Sequence, residues 1–386
     1  MGEFQLNKNL AKASQSPIRA FDDQISNIPD LIRLTIGEPD FDTPDFIKEA
    51  AIQAIQATDN GYSHSRGLIA LRKAIQAFLK RHFGLDYSID QEIIVTNGAT
   101  EGIFACLMAC LNPGDQVLVP SPYYGAYKTQ ISVVGGELIP IDLSKQSMKL
   151  TPDLLESAIK AHPKARLLIF NHPVNPTGQA YSAQEVQALA QVIKTHQLLV
   201  IADEIYSFLN FDQAPVSLAQ FIPNQTLLVN GASKSHAMTG WRMGFVCGPQ
   251  ALIQEVFKVH QACVTAASTQ SQYAALAAYT QGDQVIASMR QSYQTRRDYL
   301  VAALTDAGYE VSSPRGAFYL FIKVPTSYQG DDYQFCLDLA HQAGVGLIPG
   351  SCFGQAGKGY CRLSYAASMD LLQQAVQRMT AFKKTE

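Results

Sequence analysis

Short apolar runs rich in β-branched residues alternate along the chain with longer stretches in which apolar residues recur at helical spacing. The runs predict strands at Ile93–Thr96, Gln116–Val119, Glu137–Ile141, Arg166–Phe170, Leu198–Ala202, Leu227–Asn230 and Gly244–Cys247. The stretches between them predict helices at Thr100–Leu111, Ala126–Val134 and Ser182–Thr195. Strands separated by helices favour an α/β fold, with a mostly parallel sheet covered by helices on both faces.

The pattern changes after residue 250. Residues 250–308 are rich in helical spacing and poor in strand signals, so we expect them to complete a large domain and cross to a smaller one. Beyond them, strands are predicted at Phe318–Val324, Gly346–Ile348 and Gly359–Ser364, and helices at Tyr333–Ala343 and Asp370–Lys383. This mixture predicts a second, smaller α+β domain.

Composition narrows the class of protein. A chain of 386 residues is too long for one ordinary core and suggests two domains. Hydrophobic residues make up 47% and charged residues 16% of the chain, which is typical of a globular protein. A net charge of −3 gives no electrostatic reason to expect nucleic acid or a membrane surface as a partner.

The cysteines and the N-terminal sequence indicate in which cellular compartment the protein resides. Seven cysteines are scattered along the chain without a Cys-x-x-Cys pair, which argues against zinc and favours free thiols in a reducing compartment. The segment Met1–Leu6 has no apolar core of signal-peptide length. The longest apolar run, Ile103–Leu111, is far shorter than a bilayer span. We therefore expect a cytoplasmic protein.

Lys234 is the most informative residue. Small hydroxyl residues, Ser233 and Ser235, flank it, and Arg242 follows eight positions later. A lysine amine can form a Schiff base with an aldehyde cofactor, and an arginine can hold its phosphate. Taken alone, the segment equally fits a surface lysine and a surface arginine in a polar loop.

Further candidate residues precede and follow the lysine along the chain, in a fixed order. Asn175 lies in an Asn-Pro-Thr-Gly turn, Asp203 and Tyr206 follow an apolar strand, and Arg362 lies in a later predicted strand. Their order and spacing with the lysine segment resemble the fold-type I pyridoxal phosphate enzymes, the class I/II aminotransferases in particular. The resemblance runs from about Ile32 to the C-terminus.

The resemblance implies a division of the chain and a cofactor. Residues 46–285 would form the large cofactor-binding domain, and residues 1–45 would join residues 286–386 in the small domain. The cofactor would be pyridoxal 5′-phosphate, with no metal. The substrates would be an amino acid and a 2-oxo acid.

The phosphate of such a cofactor needs an anion site. Gly98, Ala99 and Thr100 lie between a predicted strand and a helix start, where free N–H groups and the helix dipole favour an anion. An ordinary helix cap is the alternative. Arg242 adds a guanidinium fork. By the resemblance, Tyr62 joins them from a partner subunit, which implies a homodimer with a shared active site; a lone tyrosine before a turn is more often just a packed aromatic.

The cofactor ring needs three kinds of contact. The resemblance assigns stacking on its face to Tyr123, which is otherwise a turn tyrosine. Asp203 ends an apolar strand and needs a cationic partner, which a protonated ring nitrogen supplies. Tyr206 and Asn175 match the donors to the phenolic oxygen, and Ser233 is assigned to the cofactor as well. Asp203 with Glu204 could instead bind the metal of a nucleotide hydrolase, but the chain lacks a Gly-x-x-x-x-Gly-Lys-Ser/Thr loop.

Three residues are candidates for contact with the substrate. Arg362 has apolar neighbours, and a buried arginine demands a carboxylate, either of the substrate or of an internal ion pair. Gly37 aligns with a family glycine whose backbone lies against the substrate, since a missing side chain permits close approach. Asn175 is expected to contact both substrate and cofactor.

The leading hypothesis is transfer of an amino group from an L-amino acid to a 2-oxo acid, 2-oxoglutarate by analogy, with Lys234 as general base and acid and ping-pong kinetics. Two alternatives stay open. One is a β-lyase or another reaction of the same cofactor on the same fold. The other is a cofactor-binding regulator without turnover, although only about thirty residues precede the resemblance and a helix-turn-helix would not fit there.

Within the family, the lysine segment looks most like bacterial subgroup I-gamma, which includes aromatic and N-acetyl-diaminopimelate aminotransferases. The chain departs from common family patterns at two positions. Gly231 stands where many members carry a phosphate-binding serine, and Thr100 stands where aspartate-specific relatives often carry lysine. The loss of that cation makes aspartate a poorer fit, so we predict a preference for aromatic donors.

Overall fold

The computed structural model describes residues 7–13, 15–57 and 60–383. Met1–Leu6, on which the signal-peptide argument rests, lies outside the described residues. Within them, a seven-stranded sheet forms the centre of the molecule. Its strands are β2 (Ile93–Asn97), β3 (Gln116–Ser121), β4 (Glu137–Asp142), β5 (Ala165–Asn171), β6 (Leu199–Asp203), β7 (Thr226–Gly231) and β8 (Met243–Cys247).

The sheet has the order β2-β8-β7-β6-β5-β3-β4. All neighbouring pairs are parallel except those of β8, which runs antiparallel to both β2 and β7. Buried strands of this kind carry apolar residues on both faces because helices cover each side. The predicted α/β class with a mostly parallel sheet is therefore confirmed.

Helices before, between and after the strands provide the covering layers. They are α1 (Pro17–Ile25), α2 (Asp45–Gln56), α3 (Ile69–Phe83), α4 (Gly98–Cys110), α5 (Ala126–Val133), α6 (Pro152–Ala161), α7 (Ala183–Thr195), α8 (Ala232–Ser235), α9 (Gln250–Val264), α10 (Thr269–Gln281), α11 (Asp283–Asp306), α12 (Asp332–Ala343) and α13 (Met369–Lys383). Among the described residues, none of these helices is long and apolar enough to span a membrane.

Two smaller sheets lie outside the central one. Strand β1 (Ile32–Arg33) pairs in parallel with β10 (Val345–Gly346), and β11 (Ile348–Pro349), β12 (Tyr360–Ser364) and β9 (Tyr319–Lys323) form an antiparallel sheet. The predicted single strand Gly346–Ile348 is wrong. The chain there passes from one sheet to the other at Leu347, so each part pairs with a different partner.

One buried apolar cluster joins α1 and β1 to the C-terminal elements. It includes Phe21 and Ile25 of α1, Tyr293 of α11, Phe335 of α12 and Leu363 of β12. Helix α11 begins at Asp283, so the predicted boundary between residues 285 and 286 would fall inside a helix. The division into domains at residues 45/46 and 285/286 stays a prediction.

Three parallel strands end side by side at one edge of the central sheet. Asn171 at the end of β5 pairs with Asp203 at the end of β6, which pairs with Val229 of β7. The carboxyl ends of parallel strands are where open α/β sheets place their ligand sites. The polar residues that follow these strands therefore lie close together.

Candidate active site

A cavity of about 770 Å³ opens at this edge of the sheet, within the size range of small-molecule sites. Ten of the residues predicted from sequence line it: Gly37, Ala99, Thr100, Asn175, Asp203, Tyr206, Ser233, Lys234, Arg242 and Arg362. The structure thus brings together groups that lie more than 300 positions apart in the chain.

Lys234 reaches the cavity from α8, the four-residue helix that directly follows β7. Its Nζ donates a hydrogen bond to the carbonyl oxygen of Gly37 at 2.6 Å. Burial lowers the pKa of the Lys234 amine to about 8, and the nearby carboxylate of Glu38 opposes that shift. The amine therefore becomes neutral, and nucleophilic, at a lower pH than an exposed lysine does.

Asp203 is 4% exposed, and its carboxylate receives hydrogen bonds from the hydroxyl of Tyr127 and from the N–H of Ile205 at 3.3 Å. Burial nevertheless raises the pKa of Asp203. A buried carboxylate in this state favours a cationic partner inside the cavity. Tyr127 was not predicted, because a tyrosine on a helix is usually a core residue.

Arg362 is 2% exposed. Its guanidinium donates to Asn175 Oδ1 at 3.0 Å and to the carbonyl oxygen of Thr35 at 2.6 Å. Its Nε has no partner among the described residues, and burial lowers the pKa of the group. A buried guanidinium that contacts only neutral acceptors fits a carboxylate ligand.

Tyr206 is buried beside a second tyrosine, Tyr319 of β9, with 2.7 Å between their hydroxyl oxygens. Burial raises the pKa of both phenols, so both are neutral. Because the Oδ1 of Asn175 accepts from Arg362, its Nδ2 is the group that Asn175 can offer to an acceptor in the cavity.

The start of α4 and Arg242 form one concave surface. Asn97, which precedes the helix, makes no side-chain cap, so backbone N–H groups at Ala99 and Thr100 are left for a ligand. Gly98 does not line the cavity, but a Cβ at Gly98 would lie 2.6 Å from Nη2 of Arg242. A side chain at this position would push the guanidinium away from the helix start, and the positive φ of Gly98, 74°, itself favours glycine.

Packing requires a glycine at position 231. A Cβ at this position would lie 2.6 Å from the carbonyl oxygen of Met243 and 3.0 Å from the Cα of Gly244. Such close neighbours leave no room for any side chain at this position, the serine considered in the sequence analysis included.

The prediction for Tyr123 was wrong. Tyr123 points away from the cavity and lies against Gly354, while its N–H donates to Phe353. The next residue, Tyr124, lines the cavity and meets Tyr127 edge to face at 5.5 Å. Consecutive residues of an extended segment face opposite sides, and sequence alone does not decide which tyrosine faces inward.

Tyr62 is 93% exposed and does not line the cavity of its own chain. Large exposed aromatic residues often mark contact surfaces. The prediction that Tyr62 completes the site of a partner subunit stays a prediction.

The N-terminal elements form the mouth of the cavity, which sequence reasoning missed. Ile18 and Arg19 of α1 line it, as does Ile36, whose side chain is 48% exposed. The only tryptophan of the chain, Trp241, donates to the hydroxyl of Thr43 at 3.1 Å. The N-terminal segment is thus tied to the loop that carries Arg242.

Comparison with known proteins supports this chemistry. The family model "Aminotransferase class I and II" matches residues 29–379. The chain belongs to the class I and II aminotransferases. This aminotransferase is 39% identical, over all of its length and 98% of the relative, to a probable N-acetyl-LL-diaminopimelate aminotransferase of Bacillus subtilis. It is 33% identical, over 97% of each chain, to aromatic-amino-acid aminotransferase 2 of Thermococcus litoralis.

Solved structures of aminotransferases share the fold. Aspartate aminotransferase from Thermus thermophilus with maleate matches with a TM-score of 0.93 and 34% identity, covering 98% of this chain and all of that one. The family depends on pyridoxal phosphate, and so does this aminotransferase. Its residues fit that cofactor, since an uncapped helix start faces Arg242 and burial raises the pKa of a carboxylate at the cavity floor. Among the described residues, no cluster of side chains could hold a metal.

Proposed function

We propose that this aminotransferase moves the amino group of an L-amino acid with a large, preferably aromatic, side chain to 2-oxoglutarate, with ping-pong kinetics. One observation carries the proposal. A neutralisable lysine, a buried carboxylate and a buried guanidinium share one cavity, and among the described residues neither buried charge forms an ion pair with a side chain. These are the groups that amino-group transfer requires.

The cofactor contacts that we propose involve residues that line the cavity or its edge. Lys234 would hold the aldehyde carbon, Asp203 the ring nitrogen, and Tyr206 with Asn175 the phenolic oxygen. The α4 start at Gly98, Ala99 and Thr100, with Arg242 and Ser233, would hold the phosphate. When bound, pyridoxal phosphate supplies an electron sink that makes the substrate Cα–H acidic.

The other steps belong to the protein. Arg362 and Asn175 orient the substrate by its α-carboxylate, and the backbone of Gly37, which also lines the cavity, lies beside the substrate. Lys234, whose free amine has a pKa near 8, would be released when the substrate amine takes its place on the aldehyde carbon; it would then accept the Cα proton and return it to that carbon. Tyr124 replaces Tyr123 as the residue that we propose for stacking on the ring.

We also propose a homodimer in which Tyr62 of each chain reaches the phosphate site of its partner. Support comes from apolar side chains exposed on nearby helices, such as Ile52 and Ile55 of α2 and Ile69 of α3. Sedimentation of the loaded protein would test the oligomer. A monomer with full activity would exclude the shared site. A cytoplasmic location remains a prediction from the cysteines and the N-terminal sequence.

The aromatic preference rests on the mouth of the cavity. Ile18 and Ile36 offer apolar surface there, and Thr100 offers no cation for a side-chain carboxylate. A second candidate donor is N-acetyl-diaminopimelate, which the name of the Bacillus relative favours. Both donors need room for a large side chain.

A panel of donors decides between these substrates. Phenylalanine, tyrosine, aspartate and N-acetyl-diaminopimelate would be compared with 2-oxoglutarate as acceptor, by kcat/KM, with Lys234→Ala as the blank. We expect the aromatic donors to lead. Aspartate ahead by a wide margin would end the aromatic proposal. Release of pyruvate and ammonia from cysteine conjugates without an acceptor would favour a lyase instead.

A further inference from the structure

Tyr319 occupies a junction of the site, although no motif in the sequence singles it out. It lies on β9 with 1% of its surface exposed. Its hydroxyl oxygen is 2.7 Å from that of Tyr206, and the guanidinium carbon of Arg362 lies 4.5 Å from the centre of its ring. One side chain therefore touches both the phenol proposed for the cofactor and the arginine proposed for the substrate carboxylate.

The protons of the two phenols restrict how they can bond. A neutral phenol has one proton and donates one hydrogen bond. Because burial raises the pKa of both Tyr206 and Tyr319, both keep their protons. If Tyr206 donates into the cavity, it cannot also donate to Tyr319. The bond between them must then run from Tyr319 to Tyr206.

Gly37 holds the hydroxyl of Tyr319 in position. A Cβ at Gly37 would overlap the Tyr319 oxygen, so this oxygen lies directly against the glycine Cα. The carbonyl oxygen of Gly37 in turn accepts from Lys234 Nζ at 2.6 Å. Among the described residues, Tyr206 is the sole hydrogen-bond partner of the Tyr319 hydroxyl. Tyr206 is therefore the acceptor available to the Tyr319 proton among the described residues.

We propose that Tyr319 is a positioning residue, which donates to Tyr206 and so orients and strengthens Tyr206 as a hydrogen-bond donor to the phenolic oxygen of the cofactor. The inference rests on the role of Tyr206 in the proposed function. Linked hydrogen bonds polarise one another, so a donor that itself accepts a bond donates more strongly.

We call the two linked hydrogen bonds, from Tyr319 to Tyr206 and from Tyr206 to the phenolic oxygen, the relay. The variant Tyr319→Phe tests this relay without removing a residue that is proposed to touch the cofactor. A donor to the phenolic oxygen stabilises its deprotonated form. A weaker donor should therefore raise the pH at which the visible absorbance of the loaded enzyme changes, by about half a unit. Tyr279→Phe is the matched control, since this buried hydroxyl has no partner in the described structure and lies outside the cavity. An unchanged or lowered midpoint in Tyr319→Phe would overturn the relay.

A double-mutant cycle makes the test independent of a general packing effect. Gly37→Ala introduces a methyl group where the Tyr319 hydroxyl lies, so it should raise the same midpoint in the wild-type background. In the Tyr319→Phe background, where the hydroxyl is gone, the same change should add little. Fully additive shifts would exclude the relay, and the midpoints do not depend on turnover.

Failure of the inference differs from failure of the proposed function. If the wild type binds the cofactor without a visible band, or if the band survives in Lys234→Ala, then the proposed function is wrong. If that band is normal and only the midpoint of Tyr319→Phe stays in place, then the relay alone is wrong. Thermal unfolding of each variant verifies that it is folded.

Discussion

The floor and the mouth of the cavity differ in how firmly their residues are held. On the floor, Asp203 and Arg362 are almost completely buried, and each contacts neighbours from distant parts of the chain. At the mouth, Ile36 and Thr100 are exposed. Replacing a buried charged group leaves its hydrogen-bond partners unsatisfied, whereas exposed positions tolerate exchange. The floor therefore sets the class of reaction, and the mouth is where substrate preference can change.

The largest effect is expected at the floor, from Lys234→Ala. Loss of both the covalent anchor and the general base should lower kcat by about a thousandfold or more. The visible absorbance of the bound cofactor should vanish in the same variant. Lys258→Ala, an exposed lysine on α9 outside the cavity, should behave as wild type. Activity retained in Lys234→Ala would mean that another lysine carries the reaction.

A smaller loss is expected when Arg362 becomes lysine. A lysine keeps the charge but cannot form the guanidinium fork, so KM for the amino donor should rise about 10- to 100-fold. If Arg362 binds the ground state and the transition state equally, kcat will change much less than KM. Steady-state kinetics over a range of donor concentrations separate the two constants. A KM equal to that of the wild type would assign Arg362 to an internal structural role.

The pH dependence of the reactivity of the Lys234 amine in the cofactor-free protein tests whether this residue of the cavity floor is buried. Burial lowers its pKa to about 8, whereas an exposed lysine titrates near 10.5. The unprotonated, reactive amine should therefore increase as the pH rises through about 8. Labelling with an amine reagent at a series of pH values, read by mass spectrometry of the Lys234 peptide, measures the midpoint. A midpoint above 10 would mean that the amine is solvated.

The smallest effect is expected at the mouth, from Thr100→Lys. A lysine there adds to the cavity lining the cation that the sequence-based prediction associates with aspartate specificity. Because the position is exposed, solvent screens the added charge. The ratio of kcat/KM for aspartate to kcat/KM for phenylalanine should therefore rise only about fivefold. Thr100→Met, similar in length without the charge, is the control. Equal changes in both variants would show that side-chain size, not charge, acts at this position.

Much of the cavity floor was predictable from sequence, because an apolar run that ends in polar residues indicates the end of a strand. Asp203 follows an apolar strand, and Lys234 follows the next, so both lie at the same edge of the sheet. The roles assigned to these residues stay proposals, but their meeting in one cavity follows from the order of strands. Thr100 and Arg242 are likewise brought together where α4 starts.

The remaining residues could not be predicted because their signal is three-dimensional. Tyr127 and Tyr319 are apolar in context and look like ordinary core tyrosines until their hydroxyls are seen to meet Asp203 and Tyr206. The choice between Tyr123 and Tyr124 depends on packing against Gly354. The mouth depends on how α1 docks, and a short helix near the N-terminus gives no sequence signal for its docking site.

The bond between Trp241 and Thr43 gives the protein a natural optical reporter. A single indole lies next to Arg242 in the chain and contacts the N-terminal segment through its N–H. All tryptophan fluorescence therefore arises from one place, close to the site. Titrating the cofactor into the empty enzyme would yield its dissociation constant from emission alone, without any added dye or engineered label.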